Sequence, residues 1–120
     1  MKRTLLLFLF IPVFIYQVNA QSTSCQELFE AVNEYYTDDS VGCFGSTMLI
    51  KVEYYRIDGN GYVIAYIKRN DYDFRGSPYI FCGISQQRWN YFKTNGIYGS
   101  WGESFHEYIR DYTCNCYWIK

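Results

Sequence analysis

Apolar residues along this chain first form one nearly unbroken block, then recur at helical spacing, then alternate, and finally return to helical spacing. The block is Leu5 to Tyr16, 12 residues long. After it, Ser24 opens an expected helix. It can cap, Glu27 stands three residues on as in a capping box, and Leu28, Val32 and Tyr35 or Tyr36 follow at helical spacing. Asp38-Asp39-Ser40 reads as the stop of that helix, and Gly42 to Ser46 as a loop.

Three strands are then expected. Thr47 to Ile57 is rich in Ile, Val and Tyr, and Tyr62 to Lys68 alternates Tyr62, Ile64 and Tyr66 with Val63, Ala65 and Ile67. Asp58-Gly59-Asn60-Gly61 between them is the strongest turn signal in the chain and predicts a hairpin. Lys68 to Gly76 reads as a charged loop before a third strand, Ser77 to Ile84. Ser85 can cap a helix through Gln86, Arg88, Trp89 and Phe92 that Asn95-Gly96 ends. Ser100 with Glu103 begins another, striped by Phe105, Tyr108, Ile109 and Tyr112. Strands and helices segregated in this way predict an α+β fold: an N-terminal helix, a three-stranded antiparallel meander, and two C-terminal helices packed on one sheet face.

The first block changes what counts as the domain. Lys2 and Arg3 precede it, and Val18 and Ala20 place small side chains before Gln21, the three-part layout of a cleavable secretory signal. The block is shorter than the roughly 20 apolar residues that span a bilayer. An uncleaved anchor is the alternative, and a lipoprotein at Cys25 another, although Ser22-Thr23-Ser24 lacks the usual aliphatic residue. The expected organisation is a signal over 1–20, a helix and loop over 21–45, and the main domain with a cysteine-containing tail over 46–120. The expected location is secreted or periplasmic, with no transmembrane segment in the mature form.

Without the signal, nine basic residues face twelve acidic ones, a net charge of −3. Phosphate neutralisation needs a positive surface, so general nucleic-acid binding is disfavoured. A local patch of Lys51, Arg56, Lys68, Arg69 and Arg88 stays open. All five cysteines, Cys25, Cys43, Cys82, Cys114 and Cys116, lie in the mature part. In an oxidising compartment two bridges and one leftover thiol are expected, with the pairing open. Cys114 and Cys116 are too close in sequence to bridge each other without strain. Cys-Asn-Cys near one histidine is a weak metal signal, since no second ligand pair has zinc spacing. Neither a metal nor a cofactor is expected.

Aromatic residues make up 22% of the chain, with 14 tyrosines. They either build the core and its rim or present a stacking surface. Tyr54, Tyr66, Tyr79 and Phe81, with Tyr62, are the candidates for an exposed platform on the sheet face that the helices leave open. The only histidine, His106, sits on the last expected helix next to Glu107 and three residues after Glu103. Such a pair suits general acid–base work if His106 lines a pocket with a second polar group within about 3 Å. No glycine-rich phosphate loop is present, since no lysine follows Gly96 to Gly102 in register.

Several of these features together resemble the KTSC domain, a short module named for its occurrence at the C-terminus of some lysyl-tRNA synthetases. The resemblance runs from Ser46 to about Tyr112. Its features are Val52-Glu53-Tyr54-Tyr55, the Asp58–Gly61 turn, Tyr79-Ile80-Phe81, the Ser85 to Phe92 segment and Gly99 to Arg110. Phe81 stands where the family has a second tyrosine, the Lys68–Gly76 loop is long, and the cysteines and leading helix fall outside the pattern. The family has no established function, and the RNA binding suggested for it suits an acidic exported chain poorly. The resemblance implies a small non-enzymatic binding or interaction module, its partner an unknown protein or small ligand. A small secreted enzyme or effector using His106 with Glu103 or Glu107 is the alternative, and a nucleic-acid binder a further one.

Overall fold

The computed structural model of the protein describes residues 24–116. The expected signal over 1–20 and its cleavage point lie outside the described residues. The elements in chain order are α1 (Cys25–Asn33), β1 (Asp39–Gly42), β2 (Leu49–Ile57), β3 (Asn60–Ile67), β4 (Ser77–Cys82), α2 (Gln86–Tyr98) and α3 (Trp101–Tyr108).

The sheet has four antiparallel strands in the order β1-β2-β3-β4, which corrects the three-stranded meander. The added strand, β1, falls where the sequence reads as a helix stop and a loop. Asp-Ser-Val-Gly carries one apolar residue and no strand pattern of its own. It is a strand because β2 offers it an unpaired edge, in register Asp39↔Tyr54 to Gly42↔Lys51. Backbone hydrogen bonds from a neighbour override weak local preference at such an edge. The leading helix accordingly ends at Asn33, short of Asp38.

The β2–β3 hairpin closes through Asp58 (φ 52°) and Gly59 (φ 81°), both left-handed as a two-residue type I′ turn requires. Gly61 serves a different need. A Cβ there would run into the carbonyl oxygen of Ile84 and come within 2.8 Å of the Tyr54 hydroxyl. In the longer β3–β4 loop Asp73 does the organising. Its Oδ1 accepts from Gly76 N at 2.9 Å and its Oδ2 from Arg69 N at 3.1 Å.

Helices cover both sheet faces. On one, α2 and α3 close over Val52, Tyr54, Val63, Ala65 and Phe81, with Trp89, Phe92, Phe105 and Ile109 as their own buried contribution. On the other, α1 lays Leu28, Phe29 and Val32 over Tyr55, Ile64 and Ile80. The two C-terminal helices do share one face as expected, but the opposite face is roofed by α1 and the C-terminal tail. The capping box that starts α1 is present in full: Ser24 Oγ accepts from Glu27 N at 3.1 Å, and Ser24 N donates to Glu27 Oε1 at 3.3 Å.

Asn95-Gly96 does not stop α2, which runs on to Tyr98. Gly96 is buried inside the helix because the Trp101 ring occupies the space a side chain would need. Two disulfides, Cys82–Cys114 and Cys25–Cys116, pin the tail to β4 and to the start of α1. Cys43 is free and buried. Cys-Asn-Cys is therefore consumed by two separate bridges, which removes it as a metal motif. The disulfides fit an extracellular or periplasmic setting. Among the described residues no helix is long and apolar enough to cross a membrane.

Candidate functional site

Strand alternation decides the fate of the aromatic platform. Register pairs Tyr54 with Val63 and Val63 with Phe81, so Tyr54 and Phe81 share the face under α2 and α3. Tyr54 is fully buried, stacked on Trp89 with centroids 5.0 Å apart and planes 9° apart. Its hydroxyl donates to Ile84 O at 2.8 Å. Tyr66 belongs to the opposite face, beside α1, as does Tyr62. Tyr79 lies on the α2–α3 side, paired with Ala65, and is 39% exposed. The four candidates are thus divided between two covered faces, and no open platform forms from them.

Tyr66 instead joins a polar cluster around Glu53, which the sequence reading did not single out. Tyr55 donates its hydroxyl to Glu53 Oε1 at 3.1 Å, and Tyr66 bonds the same carboxylate. Lys51 Nζ lies 3.6 Å from Glu53 Oε2 and 4.7 Å from the Tyr66 ring centre. Burial, reinforced by the Glu53 charge, pushes the Tyr66 hydroxyl up to about 12 and the Tyr55 hydroxyl upward as well. The lysine already answers the carboxylate and both hydroxyls are spent on it, so the cluster ties the sheet surface together.

The other proposed basic patch is dispersed. Lys51 is on the α1 face. Arg56, on the other face, donates to the Tyr54 hydroxyl at 3.2 Å near the hairpin. Lys68 reaches Ser46 O at 3.3 Å at the far end of the strands, and Arg69 is held by Asp73 at 3.3 Å. Arg88 lies over the Tyr112 ring at 4.4 Å and donates to Tyr108 O at 3.3 Å.

His106 lines a groove of about 500 Å³ between α3 and the sheet. The groove forms because Phe105 turns inward and meets Phe81 edge-on, centroids 5.4 Å apart at 85°. These two rings, with Met48 and Ile67, make its apolar walls, and Thr113 borders it where the tail bridges to Phe81. The next helical position, His106, falls at the rim. Phe105 O accepts from both Ile109 N and Arg110 N, at 3.0 and 2.9 Å. That closure wraps the chain past the end of α3 and sets Arg110 beside the imidazole.

His106 Nδ1 lies 2.7 Å from Arg110 Nη1. A guanidinium only donates, so Nδ1 accepts and the neutral ring carries its proton on Nε2. Glu103 and Glu107 are exposed, and among the described residues neither bonds to the imidazole. The second polar group within reach is therefore a permanent cation. It can orient the ring, but it cannot take a proton from it. Arg110 is the residue sequence reasoning missed, and its signal was the four-residue step from His106, the spacing that brings helical side chains together.

A second, smaller cleft of about 290 Å³ lies between the Phe44–Met48 segment and Gly99–Gly102, with Trp101 at its wall. It brings no charged side chain to bear. Cys43 is not a nucleophile candidate, since burial raises its thiol to about 12 and it remains protonated at neutral pH. Compared with protein-family models, curated proteins and solved structures, the chain finds no match.

Proposed function

We propose that this is an exported, non-enzymatic binding module that seats a small ligand in the groove under α3. Export rests on the N-terminal signal pattern with cleavage before Gln21. The observation that carries the binding reading is the groove itself. About 500 Å³ of mostly apolar space with two convergent polar groups at one rim has the size and lining of small-ligand sites, which run from roughly 300 to 1,000 Å³. The KTSC-like reading of Ser46 to about Tyr112 belongs to this proposal. It draws support from the β2–β3–β4 meander and the α2–α3 pair, which follow in that order within the segment. A catalytic reading of His106 asks for a carboxylate on the ring, and Arg110 in that position favours binding over proton transfer.

The test is a panel of small apolar and amphipathic compounds added to isotope-labelled mature protein with its disulfides intact. Amide shifts should cluster at Phe81, Phe105, His106 and Thr113. Shifts scattered over the surface, or confined to the Trp101 cleft, would rule out the groove as the seat.

A further inference from the structure

We infer that the groove under α3 selects an apolar monocarboxylate, its hydrocarbon part against Phe81 and Phe105 and its acid group on Arg110 and His106. This rests on the groove being the ligand seat. Three observations lead to the anion. First, Arg110 is exposed and forms no ion pair among the described residues. Its flanking acids, Glu107 and Asp111, are exposed, and neither bonds to it among those residues. One guanidinium N–H is spent on His106 Nδ1, which leaves a planar set of donors suited to a carboxylate.

Second, the same contact fixes the imidazole tautomer. With Nδ1 accepting from Arg110, Nε2–H becomes an additional donor at the rim. A histidine held in this way adds a directed hydrogen bond without needing to be charged. Third, the rest of the groove is mainly apolar: Met48, Ile67, Phe81 and Phe105 form its walls, and beyond the His106–Arg110 rim only the neutral Thr113 hydroxyl is polar. One acid at the charged rim and hydrocarbon along the apolar walls is the chemistry that suits this lining. Charge complementarity is local, because the mature chain as a whole is acidic. Unspecific electrostatics would favour a cation, so preference for the anion is diagnostic.

The experiment titrates mature, disulfide-intact protein with octanoate, octan-1-ol and octylamine, three probes sharing one hydrocarbon chain. Octanoate should shift the amides of Phe81, Phe105 and Thr113 and bind about tenfold or more tighter than octan-1-ol, the size expected when charge-assisted hydrogen bonds are lost. Octylamine should be the weakest. Arg110→Gln should weaken octanoate about tenfold and leave octan-1-ol unchanged, with the circular dichroism spectrum preserved. Octan-1-ol binding as tightly as octanoate, or octylamine tighter than both, overturns the inference while leaving the groove as a ligand seat. Groove shifts that grow with protein concentration alone mean that a second copy fills it, and overturn the inference too. Failure of all three probes at the groove overturns the seat and the inference together.

Discussion

The indole N–H of Trp89 donates to Asp39 Oδ2 across 2.9 Å, and that contact joins the face-covering helix α2 to the edge strand β1. Lys93 Nζ meets the same oxygen at 2.5 Å. One carboxylate thus holds both a buried aromatic stack and the weakest strand of the sheet. The edge strand has little apolar content of its own, so the polar anchor matters more here than it would on a central strand.

Asp39→Asn should therefore loosen β1 and cost about 1 kcal/mol, the scale of a partly exposed hydrogen-bonded pair. Burial raises the Asp39 carboxyl, but the bonds from Lys93, Trp89 and the Ser40 amide together hold it below 3.8. The unfolded chain then binds the proton first as pH falls. The Asp39 contribution is present above pH 3.8 and is lost on acidification through the lower folded value. Urea midpoints measured at pH 6 and pH 3 should fall less steeply for Asp39→Asn than for the parent. Equal pH slopes would remove Asp39 from this role.

Tyr66 gives the opposite sign at the alkaline end. Its hydroxyl is raised from 10.0 to about 12, by burial first and then by Glu53. Between those values the native state keeps a proton that the unfolded chain has lost, so stability declines as pH rises through them. Absorbance titration near 295 nm should show a late component from Tyr66 and Tyr55, the two hydroxyls raised by burial and Glu53. Glu53→Gln should bring the Tyr66 step down, because it removes the neighbouring charge.

Gly96→Ala tests the α2–α3 contact. Alanine improves helix propensity by up to about 1 kcal/mol over glycine at a free position. Here the new methyl meets the Trp101 ring, and overpacking of this kind costs about 1–3 kcal/mol. A lower melting temperature is expected. A higher one would show that α3 moves aside without cost.

The disulfide arrangement predicts a thiol count. Native protein should take no alkylating reagent, denatured unreduced protein should take one equivalent at Cys43, and reduced denatured protein five. Peptide maps should recover Cys25 with Cys116 and Cys82 with Cys114. On loop entropy alone, the 91-residue closure is worth about 4.6 kcal/mol and the 32-residue closure about 3.7 kcal/mol. Opening Cys25–Cys116 by serine substitution should thus lower the urea midpoint at least as far as opening Cys82–Cys114.

Local chemistry was enough to place most elements. Ser24 with Glu27, Asp58-Gly59, Ser85 and Ser100 mark boundaries through hydrogen bonds and φ angles that reach only a few residues, so they read directly from the chain. What needed the third dimension were relationships between distant segments. Asp39–Gly42 becomes a strand only because β2 lends it an edge. Gly96 is inside a helix only because Trp101 packs where a side chain would go. The aromatic platform fails because α1, far back in the chain, covers the second face, and a two-residue period cannot say which face a later or earlier helix will choose. The groove has the same origin: Phe81, Phe105, Met48 and Arg110 each look ordinary in sequence. Alternation and capping are nearest-neighbour physics, whereas burial is a property of what the folded chain brings alongside.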